Sequence, residues 1–152
     1  MRIAIGADHG GYKLKTRIKE KLGDKFEFLD CGATELNGAD DYTVFSFRVA
    51  ELVASKQADF GVLICRTGVG ACIAMNKVSG VRAGALERVK DTELARKKND
   101  INALAIGADL VNEKTAINMV LALTKVPFEG GRHAKRVQDI VDYERAHYEK
   151  NN

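Results

Sequence analysis

The chain has little proline, few cysteines, no long apolar run and almost no excess of one charge, and each scarcity excludes something. No apolar stretch approaches the roughly 18 residues that a membrane-spanning helix needs. The opening MRIAIGADHGG is apolar only for a few residues before Asp8, so it is expected to form a buried strand rather than a secretory signal. The three cysteines, 31, 65 and 72, form no CxxC pair, and an odd count argues against a disulfide framework. A reducing, cytoplasmic setting is the expectation. The net charge of +3, from 24 basic and 21 acidic residues, is too small to point to nucleic acid. One proline against 14 glycines suggests a regular frame on which backbone segments approach one another closely.

What is present is enough for a core. At 152 residues and 45% apolar composition the chain suits a single domain over 1–152. A chain of this size can bury roughly 70% of its unfolded surface without staples. Short apolar runs at Ile3–Ile5, Phe26–Leu29, Gly61–Ile64, Val81–Ala85 and Ala103–Ile106 read as strands buried on both faces. Helix-period segments lie between them: Leu14, Ile18 and Leu22; Phe45, Val49, Leu52 and Val53; Ile117, Val120 and Leu121; Val137, Ile140 and Val141. Gly68–Lys77 reads as a shorter helix, and the charged stretch Arg88–Lys98 as a solvated or interface helix. The last helix is expected over 132–150. This alternation predicts an α/β fold, a five-stranded parallel sheet covered on both faces.

In such folds the chemistry gathers where strands end and helices begin. Two junctions carry reactive groups. After the third strand, Cys65-Arg66-Thr67-Gly68-Val69-Gly70 sets a thiol before a glycine-bearing helix start. There, backbone N–H groups converge on an anion or oxyanion, and the thiol becomes a candidate base or nucleophile. The plain alternative is a core cysteine followed by a turn. After the first strand, Asp8-His9-Gly10-Gly11 sets a carboxylate and an imidazole at a strand end. Asp8 reads as a proton shuttle between hydroxyls or simply as a cap for the helix starting near Gly10, and His9 as a phosphate ligand or a group titrating near neutrality. A third cluster, Gly130-Gly131-Arg132-His133-Ala134-Lys135-Arg136, sets two arginines four residues apart at a helix start, which suits phosphate. A solvated face explains that spacing equally. Tyr42 and Asn99 stand alone and read as helix-start packing and helix capping. Cys31 and Cys72 read as structural.

Taken together, the stretches MRIAIGADHGGYKLK, ADFGVLICRTGVG with CIAMNKVSGVRA, KKNDINALAIGA and FEGGRHAKRV closely resemble the ribose-5-phosphate isomerase B and galactose-6-phosphate isomerase family of sugar-phosphate isomerases. They run in order through Met1 to about Ile140. The resemblance implies a Rossmann-like three-layer α/β/α sandwich, working without metal or cofactor as a homodimer or dimer of dimers with shared active sites. It implies aldose–ketose isomerisation through a cis-enediolate, by default between ribose 5-phosphate and ribulose 5-phosphate. By resemblance, Cys65 is the base between C1 and C2, and Asp8 handles the O1/O2 proton and the sugar hydroxyls. Thr67 with Gly68, Val69 and Gly70 holds the enediolate oxygen, and Tyr42 and Asn99 contact the sugar. His9, Arg132 and Arg136 grip the phosphate, the arginines coming from a partner subunit.

The sequence departs from the family at four places. Arg66 stands where glycine is usual, Lys98 where a histidine helps open the furanose ring, Asp109 where ribose-type members often carry arginine, and Thr43 where an Asp-Tyr-Pro would place proline. An ordinary lysine gives a proton at neutral pH but accepts one poorly. These changes leave room for a hexose 6-phosphate (galactose- or allose-type) isomerase, or for a sugar-phosphate-binding subunit impaired in turnover. A nucleotide-binding module fits poorly, because no GxGxxG follows the first strand. No partner surface for nucleic acid or membrane is expected.

Overall fold

Alternating buried strands and amphipathic helices have one economical solution, a parallel sheet between two helix layers, and the chain adopts it. The computed structural model describes residues 1–36 and 38–148. Strands β1 (Arg2–Ala7), β2 (Glu27–Asp30), β3 (Phe60–Cys65), β4 (Ala83–Ala85) and β5 (Ala103–Gly107) pair in parallel in the order β2-β1-β3-β5-β4. Helices α1 (Tyr12–Leu22), α2 (Tyr42–Ala54), α3 (Val69–Met75), α4 (Val89–Asn99), α5 (Glu113–Lys125) and α6 (Arg132–Tyr148) follow in turn. The expected helix over 132–150 is therefore present to Tyr148, and its last two residues lie outside the described residues.

Strand residues alternate between two cores. Ile3, Ile5, Val62, Ile64, Leu104 and Ile106 pack with Ile18, Met119, Val120 and Leu123 of α1 and α5. The other face carries Ala4, Leu63, Cys65, Ala103 and Ala105 against Phe45, Val49, Val53, Ala71 and Met75 of α2 and α3. This second face is built of smaller residues, so α2 lies close to the sheet. A Cβ on Gly61 would stand 2.8 Å from Val49 Cγ1. Cys65 thus points toward the α2 and α3 layer.

The chain moves from β1 out to β2, then returns across β1 to β3. Right-handed crossovers put α1 and α2 on opposite faces when the direction reverses like this. A crevice opens at that reversal, outside the carboxyl ends of β1 and β3. Both reactive junctions lie at its rim.

One expectation needs correction. The charged run that forms α4 is more than a solvated or interface face, since Thr92 and Arg96 are buried. Arg96 Nη1 donates to Asp100 Oδ1 at 2.8 Å and to the Ile101 carbonyl at 2.6 Å, and its guanidinium lies 5.2 Å from the Phe60 ring centre. A buried guanidinium is tolerated when its donors are taken up in this way.

Candidate active site

The β3 strand ends at Cys65, and the chain must turn at once into α3. Gly68 makes this turn with φ of 78°, in the left-handed region that costs a residue with a Cβ about 1–2 kcal/mol. The turn brings the Gly68 N–H to Cys65 Sγ at 3.2 Å. That bond fixes the buried thiol and offers a donor to negative charge on sulfur. Residues after β5 brace the same loop: Ala108 N–H donates to the Cys65 carbonyl at 2.8 Å, and Asp109 N–H to the Arg66 carbonyl at 3.0 Å.

Tyr42 opens α2, whose N-cap Asp41 accepts from the Thr43 N–H. The Tyr42 ring lies directly over Gly70, where a Cβ would come within 2.6 Å of Tyr42 Cζ and Oη. Glycine at 70 is what lets the phenol reach the loop. Thr67 and Val69 are exposed along the rim.

At the end of β1, Asp8 is buried, and its Oδ1 accepts from the Gly11 N–H at 3.1 Å. The N-cap of α1 is Gly11 and no side chain caps it, so Asp8 braces the turn into the helix without occupying the cap position. His9 follows, with its Nδ1 2.8 Å from Asp40 Oδ1, which also accepts from the His9 backbone N–H at 2.8 Å. Asp40 carries no motif and spacing gave no reason to select it. Only the fold, which brings the loop before α2 across the end of β1, shows its partner.

Arg66 links the two junctions. Its stem lies where a Gly10 Cβ would be, 2.8 Å from Cγ, and its guanidinium reaches Asp109 at 3.5 Å, both side chains being largely exposed. The departures at 66 and 109 therefore face each other. Beside them opens a cavity of about 470 Å³ lined by His9, Gly10, Lys13, Leu36, Arg66 and Asp109 among others.

The remaining expected site residues lie elsewhere. Because all five strands are parallel, Asp8, Cys65 and Asp109 share the carboxyl edge of the sheet. Helix α4 runs back toward the other edge and ends at Asn99, shortly before β5 begins. The Glu129 N–H donates to the Lys97 carbonyl at 3.0 Å, which holds the Gly130–Arg132 turn at that same end. Lys98, Asn99, Arg132 and Arg136 are all exposed there. Neither arginine makes an ion pair among the described residues, and Asp100, in the left-handed conformation, caps α4 in place of Asn99. Five residues of β5 at about 3.3 Å each separate the two ends by roughly 16 Å. One chain therefore unites Asp8, His9, Tyr42, Cys65–Gly70 and Asp109, and separates them from Lys98, Asn99, Arg132 and Arg136.

The other cysteines fit the structural reading. Burial pushes the Cys31 thiol up to about 11, with Asp30 adding to the effect, and burial also raises Cys72. Their thiols donate to the Leu29 and Ala83 carbonyls at 3.4 Å.

Known proteins resemble this arrangement throughout its length. The profile of a family described as Ribose/Galactose Isomerase matches residues 3–140. Ribose-5-phosphate isomerase B of Escherichia coli is 40% identical over 144 residues, covering 94% of this chain and 96% of the relative. A putative sugar phosphate isomerase of Bacillus subtilis is 38% identical over 95% of this chain and 97% of its own length. Among solved structures, ribose-5-phosphate isomerase B of Mycoplasma genitalium with bound ribulose-5-phosphate superposes with a TM-score of 0.91 at 40% identity, covering 95% of this chain and 96% of that one. The Clostridium thermocellum ribose-5-phosphate isomerase B gives 0.92 at 41% identity, covering 97% and 99%.

Proposed function

The chain belongs to the ribose/galactose isomerase family, and from that premise we propose that it interconverts ribose 5-phosphate and ribulose 5-phosphate. The observation that carries this reading is the thiol of Cys65, held by the Gly68 N–H at the crevice that also receives Asp8. Isomerisation needs a base beside a carbon acid, donors for the oxyanion that develops, and a distant anchor whose binding energy positions the carbon.

Each of these has a candidate here. Cys65, as its thiolate, takes the proton from C2 of the open aldose and becomes the thiol, as the C1 carbonyl becomes an enediolate oxygen. The S–H proton, which exchanges with solvent, is then delivered to C1 to give the ketose or back to C2, while Asp8 carries the hydroxyl proton from O2 to O1. Thr67 and the N–H groups of Gly68, Val69 and Gly70 hold the oxygen charge, and Tyr42 lies against the sugar. The sequence of steps only relocates protons and an electron pair, so it balances without an added oxidant or metal.

The phosphate anchor requires a second copy of the chain. His9 is at the crevice, but Arg132 and Arg136 stand at the far end with Lys98 and Asn99. A homodimer, alone or within a dimer of dimers, brings the far end of one subunit to the crevice of its partner. Isologous pairing then completes two sites at once. The three free thiols suit a reducing cytoplasm. Among the described residues no helix is long and apolar enough to cross a membrane.

A second reading starts from the Arg66–Asp109 contact, which places a cation and an acid beside the substrate crevice; under it the substrate is a hexose 6-phosphate of galactose or allose type. Initial rates with ribose, galactose and allose phosphates separate the two. A kcat/KM at least tenfold higher for ribose 5-phosphate supports the first reading, and the reverse order supports the second. Binding of these sugars without turnover of any supports the impaired subunit.

A further inference from the structure

We propose that Asp40 is a positioning residue for the phosphate end of the site, acting through His9. This rests on the reading of His9 as part of the phosphate grip. Asp40 lies in the loop that leads into α2, two residues before Tyr42, and its side chain is only 9% exposed. One oxygen, Oδ1, serves both the His9 backbone N–H and the ring Nδ1, each at 2.8 Å. The other, Oδ2, is buried and has no hydrogen-bond partner among the described residues. Among the described residues, every hydrogen bond of the side chain goes to His9.

The consequence follows from imidazole chemistry. An ionised carboxylate only accepts, so the ring nitrogen facing Asp40 must carry a proton. Nδ1–H is thereby fixed, and Nε2 is the nitrogen left for a ligand. His9 is 31% exposed at a cavity that Lys13 and Arg66 also line. A phosphate that shares its proton with Nε2 then sets the ring between two acids, Asp40 and the phosphate. The backbone bond from the same oxygen locks the residue that carries the ring, so ring orientation and tautomer share one cause.

The test is a double-mutant cycle on the full chain, with His9 followed by ¹⁵N spectroscopy. Asp40→Asn should raise KM for the sugar phosphate roughly tenfold while kcat changes less than about threefold. In a His9→Gln background the same substitution should add almost nothing. In the unchanged protein the His9 ring should carry its proton on Nδ1, and inorganic phosphate should shift Nε2, with about tenfold weaker binding in Asp40→Asn. Additive KM effects, an unchanged phosphate affinity, or a His9 ring protonated on Nε2 alone would each overturn the proposal. The ring measurement on the unchanged protein decides the matter even if Asp40→Asn fails to fold. If no sugar phosphate turns over, the isomerase reading fails by itself, and the phosphate titration still decides the role of Asp40.

Discussion

A thiol can move a proton on a carbon acid only when it is fixed beside the carbon and when the charge it leaves behind has donors waiting. In the mechanism proposed for Cys65, the Gly68 N–H, 3.2 Å from its sulfur, supplies the first and the glycine-bearing loop the second. Cys31 and Cys72 lie outside the glycine-bearing loop, and burial holds both thiols above the ordinary range. Replacing either of these two by serine should therefore leave kcat within about twofold, whereas Asp8→Asn should lower kcat by about 10²–10⁴ without unfolding the chain. Steady-state rates with matched circular dichroism check this contrast. A Cys31→Ser variant as impaired as Asp8→Asn would mean that the chemistry lies elsewhere. At this scale the sequence was informative for a reason: Asp8 and Cys65 each end an apolar run and precede glycines, so position along the chain already announced a strand end. Asp40 had no such mark. A lone acid in a loop acquires meaning only from the residue that folding sets beside it.

Elements are held in place by packing and by a few polar ties, and one tie makes a pH prediction. Lys15 of α1 is buried, and it donates to Asp30 Oδ1 of β2 at 2.9 Å while Lys19 donates to Oδ2 at 2.6 Å. Burial alone would push the Asp30 carboxyl up, but the bonds from Lys19 and Lys15 outweigh it, and its pKa falls below the ordinary 3.8. The unfolded chain then takes up this proton more readily than the folded one. The stabilisation is complete above the ordinary carboxyl range and is lost as pH falls through the lower folded value. Asp30→Asn should cost about 1–3 kcal/mol at pH 7, because Lys15 loses its charged partner. The gap in Tm between the variant and the parent should narrow steadily below about pH 4. Melting curves across pH test this, and a gap that stays constant into acid would contradict it. Element assignment itself was largely legible, because the three central strands β1, β3 and β5 are buried and read as short continuous apolar runs. Strands β2 and β4, expected to be buried on both faces, stand at the sheet edges and are only partly buried. The fourth strand was the least legible. It covers only Ala83–Ala85, since Arg82 is held by Asn102 and Asp100 side chains rather than by the ladder alone. The burial of Arg96 was hidden for a similar reason: periodicity sees a charge and cannot see the carbonyls that receive it.

At the scale of the whole molecule, the defining fact is that the expected site residues divide between the two edges of one sheet. Spacing in sequence gave each cluster its chemistry but could not say which edge it would occupy, since that depends on strand direction and on where α4 and α6 end. A split site predicts complementation. In the homodimer proposed above, Cys65→Ala subunits mixed and reassociated with Arg132→Ala/Arg136→Ala subunits form hybrids in which one of two sites is intact. Random exchange should restore about one quarter of the activity of the unchanged protein from two nearly inactive parents. No recovery, with hybrid formation verified by mass, would confine the site to a single chain. The central claim, that Cys65 moves a proton between adjacent sugar carbons, is tested most directly by exchange with solvent. Ribose 5-phosphate incubated in D₂O with the protein should gain deuterium at C2, and the Cys65→Ala variant should reduce that exchange by about 10²–10⁴. Exchange that persists undiminished in Cys65→Ala, or that is absent from the unchanged protein with every pentose and hexose phosphate, would contradict the account.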